Sequence, residues 1–362
     1  VDVSLEGELV VRAAWDGARV TGVAIASTRP EVAGRLLAGR GVAEAVEMVP
    51  RLFSICGRSQ GVAAALACDA AAGRTPDTDD LSESGGIVRT EAVQEILRRV
   101  LLDWPRLAGV APDAAALADA RRALGGDASG AARAIVKDRI VGASSTWAVF
   151  DDAASGDRWL ESAATPAAAL ITRLAADRPR RAVSEVTLLP ADGEAVARAV
   201  AAALAADAAF GRAPTWQGSP AETGALARMR TQPWVAAIVA RSGHSALARF
   251  AARIVELVAH VRPDAPSPAR VAGAVAIAPG AGLGWVETAR GLLVHAVEIA
   301  AGMVRRYRIV APTEWNFHPR GALAAGLAGA AAPGEDEVRR LVRIAVESLD
   351  PCVAYRVEVS KA

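Results

Sequence analysis

The sequence predicts a mixed α+β protein, mainly helical, with a central helix bundle and β-hairpins at its edge. Three observations carry that expectation. Apolar residues recur at helical spacing in long stretches such as 90–104 (TEAVQEILRRVLLDW) and 335–348 (EDEVRRLVRIAVES). Short apolar runs flank turn dipeptides at Asp16-Gly17 and Ala301-Gly302 and read as hairpins. The chain has 362 residues, 52% of them hydrophobic, which is enough to bury a large core.

Taken in order, the first hairpin draws on Val3, Leu5 and Leu9 to Val11, then on Val20 to Ala26. Helices are expected at about 31–38, 43–52 and 60–72. Residues 72–88 (AGRTPDTDDLSESGGIV) are polar and read as an exposed loop, with Thr90 as the cap of the helix that follows. Residues 105–185 are Ala-rich and weakly patterned, an insert within a single domain covering 1–362. Helices are expected at 193–209, 221–230 and 244–260, and the Pro/Gly/Ala-rich 263–286 as loop with a short strand. A second hairpin pairs Leu292 to Ile299 with Met303 to Val310. The helix at 335–348 then leads into a strand at 353–359.

Composition excludes several classes. The net charge is +1 and basic residues are spread along the chain, which argues against nucleic acid as a partner. All but two of the 41 basic residues (Lys137 and Lys361) are arginine. The longest apolar stretch, Val271 to Val286, is broken by Gly and Pro and is too short for a membrane span. The opening VDVSLEGELV has no apolar core of a signal peptide. Three cysteines, Cys56, Cys68 and Cys352, make no even disulfide framework, so a cytoplasmic protein with free thiols is expected. The histidines, at 244, 260, 295 and 318, lack metal-ligand spacing.

The remaining chemistry lies in six segments. Ile55-Cys56-Gly57-Arg58-Ser59 resembles the ICGxC segment of nickel–iron hydrogenase large subunits, and Asp350-Pro351-Cys352-Val353-Ala354-Tyr355 resembles their DPCxxC segment. Leu5-Glu6-Gly7 is like the family's EGH, Pro220 to Met229 like EVGPLAR, and Glu287 to Gly291 like EAPRG. Tyr307 with Val310 to Asn316, Pro319 and Arg320 is like YQxVVPTTWNxxPR. The six matches keep the family's order from residue 5 to 355, so a reduced large-subunit-like fold is expected.

In that family four thiolates in two CxxC pairs hold nickel and an iron carrying two cyanides and one carbon monoxide. The first cysteine of each pair binds nickel alone and the second bridges the metals. Here Ser59 and Tyr355 stand at the bridging positions. A serine hydroxyl and a tyrosine phenol are hard, weakly acidic oxygens that do not replace a bridging thiolate. The resemblance therefore implies a non-catalytic assembly factor that binds no nickel. Glu358 stands where the enzymes carry histidine, and only four residues follow it, so no maturation tail is expected.

What is retained is the pocket for the diatomic ligands: Arg290, Pro312 and Thr313, with Glu6, Ser59 and Tyr355 around the metal position. This combination resembles HupK/HoxV-type hydrogenase accessory proteins. It implies a scaffold that transiently holds Fe(CN)2CO through Cys56 and Cys352 before transfer to the large-subunit precursor, with hydrogenase maturation factors as partners. Alternatives stay open. The retained cysteines match the nickel-only pair, so either the iron sits displaced toward them or they are relics. Arg290 either serves the pocket or pairs with a carboxylate such as Glu287. The whole chain is an iron scaffold, a metal-free mimic of the large subunit that holds a small subunit or a maturation factor, or an enzyme with a new centre, for instance using Tyr355.

Overall fold

The computed structural model describes residues 7–28, 32–53, 55–124, 129–176, 186–263 and 270–362. Val3, Leu5 and Glu6, which the sequence places in the first hairpin, lie outside them. Strands β1 (Glu8–Trp15) and β2 (Val20–Ser27) pair antiparallel. Their turn is closed by Asp16, whose carboxylate accepts the N–H groups of Ala18 and Arg19, each at 2.8 Å. Helices α1 (Val32–Leu37), α2 (Val42–Met48) and α3 (Gly57–Ala71) follow near their expected positions.

The next element corrects the expected loop at 72–88. Helix α4 runs from Thr78 to Arg98. Asp77 caps it: its side chain accepts from Asp80 N–H (2.9 Å), and the Asp80 side chain accepts from Asp77 N–H (3.1 Å). This reciprocal box satisfies two backbone donors and lets a polar, Gly-containing stretch start as helix. Thr90 is therefore mid-helix, with its hydroxyl donating to Gly86 O (2.9 Å). The helix continues through a π-helical turn, Arg99–Asp103, into α5 (Trp104–Leu107).

The weakly patterned insert is helical as well: α6 (Ala114–Leu124), α7 (Ser129–Val136), α8 (Ala153–Ser162) and α9 (Pro166–Ala176). They share a core with α4, α12 (Pro233–Ser242) and α13 (Ala246–Val261). Aromatic side chains fill the gaps that alanine leaves. Phe150 stacks on Trp234 with centroids 5.1 Å apart, and Trp159 meets Phe150 edge-on at 4.9 Å. Helix α13 is the axis of this bundle, buried continuously from Ala248 to Val258. The expected helix at 221–230 is shorter: Ser219–Glu222 is strand β5, and α11 spans Ala225–Met229. Strand β5 lies between β3 (Thr187–Leu188) and β4 (Thr215–Trp216), and α10 spans Gly193–Ala206.

The loop expected at 263–286 also gives way. Strands β6 (Ala272–Ala278) and β7 (Ala281–Thr288) join β8 (Gly291–Ala300) and β9 (Met303–Val310) in a four-stranded antiparallel sheet, order β6-β7-β8-β9. The second hairpin is thus half of a larger sheet. Its glycines and alanines are dictated by α3, which lies directly on β7. A Cβ on Gly284 would fall 2.1 Å from Ala63 O, and one on Gly282 2.3 Å from Ala71 N. Small residues on both elements permit this approach.

Helices α14 (Pro312–Asn316), α15 (Ala322–Leu327) and α16 (Glu335–Leu349) precede β10 (Ala354–Lys361). Strand β10 pairs in parallel with β1 from Glu8↔Ala354 to Trp15↔Lys361. The first and last described strands are therefore neighbours, and α3 and the turn before β10 face a common centre. Among the described residues no helix is long and apolar enough to cross a membrane.

Candidate metal centre

Cys56 sits at the N-cap of α3. Gly57 allows the chain to pass Pro50, whose carbonyl oxygen would lie 2.6 Å from any Cβ there. The first free N–H groups of α3 do not go to a cap of its own. Glu91 of α4 accepts from Arg58 N–H (2.9 Å) and Ser59 N–H (3.0 Å). A carboxylate at a helix N-terminus satisfies orphan donors and complements the helix dipole.

Cys352 is reached through Asp350, where α16 ends in the left-handed conformation at φ 58°. The Asp350 side chain is almost fully buried and faces three guanidinium groups. Arg99 Nε lies 2.5 Å and Arg290 Nε 3.5 Å from Oδ1, while Arg253 Nη2 lies 3.6 Å from Oδ2. Burial pushes this carboxyl upward, but Arg290, Arg99 and Arg253 outweigh it and hold it well below the usual carboxylate range. The same arginines hold the backbone. Arg99 Nη2 donates to Pro351 O (2.8 Å) and Arg253 Nη1 to Ser348 O (3.3 Å). Asn316 ties three segments together: it accepts from Thr223 N–H (2.9 Å) and donates to Arg290 O (3.3 Å) and Leu349 O (3.4 Å).

The two cysteines and Arg290 act on one another. Burial first, and then the neighbouring Cys352, push the Cys56 thiol up to about 12, against the opposing pull of Arg290 and Gln60. None of the three cysteines is in a disulfide, and Cys56 keeps part of its surface exposed. Cys352 N–H donates to Thr313 Oγ1 (3.4 Å), and the Thr313 hydroxyl lies 3.0 Å from the Cys352 sulfur. Thr313 is thus engaged with a thiol in this structure. Pro312, also buried, opens α14 beside it.

Arg290 is 3% exposed and donates through Nη2 to Glu95 (2.9 Å). The pairing with Glu287 that the sequence left open does not form. Glu287 binds Arg228 at 2.5 Å, and Arg228 also binds Glu256 at 2.5 Å, because both carboxylates converge on the start of the bundle. Five buried polar atoms at the centre make no well-aligned hydrogen bond: Ser59 Oγ, Asp350 Oδ1 and the Nε atoms of Arg99, Arg253 and Arg290, although Arg99 and Arg290 still face Asp350 Oδ1 as ion pairs. Tyr355 is turned to other work. Its hydroxyl donates to Glu347 (2.9 Å), and burial, reinforced by Glu347, keeps the phenol above its ordinary range. Cys68 is core on α3, its thiol raised to about 11 by burial and by Asp69. Glu6 lies outside the described residues. Among those residues no group of three or more His, Cys, Asp or Glu side chains is placed to hold a metal ion.

Glu95, Arg99, Arg253 and Gln60 are the site residues that sequence reasoning missed. In a chain whose cations are nearly all arginine, Arg99 and Arg253 do not stand out. A trace was present on α13, where Arg249, Arg253 and Glu256 interrupt an apolar helix at helical spacing.

The fold and the paired cysteine segments define the class: a hydrogenase large-subunit-like protein with half of the family's thiolates. Residues 236–358 match the family model described as nickel-dependent hydrogenase. The fold agrees with the Ni-Fe-Se hydrogenase of Desulfomicrobium baculatum at a TM-score of 0.56 and 15% identity, covering 94% of this chain and 95% of that one. In sequence, the chain is 35% identical over 364 residues to the hydrogenase expression/formation protein HoxV of Cupriavidus necator, covering 93% of each. It is 34% identical to the hydrogenase expression/formation protein HupK of Rhizobium leguminosarum bv. viciae, over 94% of this chain and 93% of that protein. The chain belongs to this HoxV/HupK family of hydrogenase expression/formation proteins.

Proposed function

We propose that this protein is a scaffold in hydrogenase assembly that transiently holds an Fe(CN)2CO fragment between Cys56 and Cys352 and passes it to a large-subunit precursor. The observation that carries the reading is that Cys56 feels both the Cys352 thiol and the buried Arg290 guanidinium, while the Ser59 hydroxyl, three residues along from Cys56, is buried without a hydrogen bond. Cyanide nitrogens are anionic acceptors and would take both donors. Two sulfurs are few for a bare ion, but this iron brings three ligands of its own. The fragment is cargo. Cys56 and Cys352 bind it, Arg290 and Ser59 orient its cyanides, and Pro312 supplies apolar wall for the carbon monoxide. Thr313 meets the cargo through the sulfur of Cys352. With no thiolate at residues 59 and 355, nickel lacks its bridging ligands, and the cargo can leave.

The test is infrared spectroscopy of the protein purified together with the maturation machinery. Cyanide and carbonyl bands with matching iron are expected, and both are lost in Cys56→Ala. Their absence from the unaltered protein would sink the proposal. A second reading takes support from the large-subunit fold kept over nearly the whole chain. In it the protein is a metal-free mimic that holds a small subunit or a maturation factor, and its partner pull-downs survive Cys56→Ala and Cys352→Ala together.

A further inference from the structure

From Cys56 runs a line of buried polar side chains that the reading above does not use. Gln60, one turn along α3, donates from Nε2 to the Cys56 sulfur (3.4 Å). Its Oε1 lies 2.8 Å from His295 Nε2, and His295 Nδ1 lies 2.7 Å from the Tyr307 hydroxyl. Gln60 is 2% exposed, His295 0% and Tyr307 3%. His295 on β8 and Tyr307 on β9 are diagonal neighbours on one face of the sheet, since His295 pairs with Ile309 and Val297 with Tyr307.

We infer that Gln60, His295 and Tyr307 form a one-way hydrogen-bond chain that ends on the Cys56 sulfur, making Gln60 the residue that positions and tunes this thiolate toward the cargo. The inference rests on the reading of Cys56 as an iron ligand. Its direction follows from the far end. Among the described residues the Tyr307 hydroxyl hydrogen-bonds only to His295. Burial, and Cys68 nearby, keep the phenol protonated by pushing its pKa well above the ordinary value. A buried O–H with no acceptor costs about 1–3 kcal/mol, so this proton goes to His295 Nδ1. With Nδ1 accepting, the ring carries its proton on Nε2. That N–H donates to an oxygen, so the carbonyl of Gln60 faces His295 and its NH2 faces Cys56. The amide orientation is imposed by the tyrosine two residues down the chain of bonds.

The chemistry at the sulfur follows. An N–H donor withdraws charge from a metal-bound thiolate, weakens its donation to iron and lowers back-donation into the diatomic ligands. The other sulfur has the Thr313 hydroxyl at 3.0 Å. Each cysteine sulfur therefore has its own neutral polar partner, an amide on α3 for Cys56 and a hydroxyl on α14 for Cys352.

Two arms test the inference. In metal-free protein carrying ¹⁵N-labelled histidine, His295 should show a protonated Nε2 and a hydrogen-bonded, unprotonated Nδ1, and Tyr307→Phe should abolish the Nδ1 hydrogen-bond signature. The opposite tautomer in the unaltered protein would overturn the chain whatever becomes of iron binding. In cargo-loaded protein, Gln60→Met keeps the shape and removes the donor. Its cyanide and carbonyl bands should move together to lower frequency. Tyr307→Phe should move the bands the same way by less, and it keeps the packing if the glutamine variant folds poorly. Bands at unaltered positions in both variants would refute the tuning role. If the unaltered protein shows no bands at all, the iron reading fails, while the histidine arm still decides the direction of the chain.

Discussion

At the scale of single residues, Asp350 is the most demanding position. Its side chain is the common counter-ion of Arg99, Arg253 and Arg290, and its backbone makes the left-handed turn that presents Cys352. Asn tolerates that conformation nearly as well as Asp, so Asp350→Asn isolates the charge. Three buried guanidinium groups would lose their shared partner, and a loss of about 3–5 kcal/mol is expected in urea denaturation at pH 7. The pH dependence has a definite sign. The folded carboxyl lies below its unfolded value, so its contribution is complete above about pH 4 and is lost as pH falls toward the folded value. The gap between the two proteins should therefore narrow at pH 3. A gap that is unchanged or wider there would mean that the arginines do not depend on this carboxylate.

Cys56 yields a second prediction at the same scale. Its thiol is raised to about 12 in the metal-free protein, by burial and by Cys352. The thiolate is the reactive form, so iodoacetamide at pH 8 should alkylate Cys56 roughly 100-fold or more slowly than in urea-unfolded chain. If Cys56 binds the proposed cargo, binding displaces this proton, and iron capture should strengthen as pH rises. Rapid labelling of the native, metal-free protein at pH 8 would show that burial and Cys352 do not hold this thiol protonated.

At the scale of elements, the decisive contact is α3 on β7. The sequence conceals it. Residues 272–286 contain so much glycine and alanine that they read as loop, because β-propensity reflects side-chain packing and these side chains are nearly absent. Their smallness is what lets a helix lie on the strand at backbone distance. The same holds for α4, where Asp, Ser and Gly hide a capped helix start behind a loop-like composition. The hairpin of β8 and β9, the amphipathic α16 and the two cysteine segments were readable, since alternation, 3.6-residue periodicity and motif order survive in any composition. The arginines that hold Asp350 were not, because their partners come from helices far apart in the chain. Gly284→Ala tests the contact. A Cβ 2.1 Å from Ala63 O forces α3 off the sheet, so a loss of about 1–3 kcal/mol or more is expected. Because α3 carries Cys56, iron should be lost along with stability. Gly86→Ala, at a helix position with nothing within 4 Å, serves as the control and should leave iron unchanged.

At the scale of the whole molecule, the centre exists because distant parts of the chain are clamped together twice. One clamp is ionic: Glu95 and Arg99 from the long helix close on Arg290 and Asp350. The other is the parallel ladder of β10 on β1, extended by Ala362 N–H donating to Trp15 O at 2.7 Å. The ladder starts immediately after Cys352 and Val353, so it fixes one end of the loop that carries the second thiol. Removing residues 354–362 tests how much the centre owes to it. Tyr355, Val357 and Val359 pack partly buried against the α15–α16 core, and their loss should cost about 3–5 kcal/mol. Strand β1 becomes an edge, so its amides should lose hydrogen-exchange protection, while α13, buried in the helix bundle, keeps its own. The ionic clamp is untouched by the truncation. Asp350 should remain paired, and Cys352 should stay near Cys56 but with a looser loop, giving weaker iron retention rather than none. Retention equal to that of the full chain would assign the placing of Cys352 to the arginines alone. Complete loss of iron with α13 still protected would assign it to the ladder.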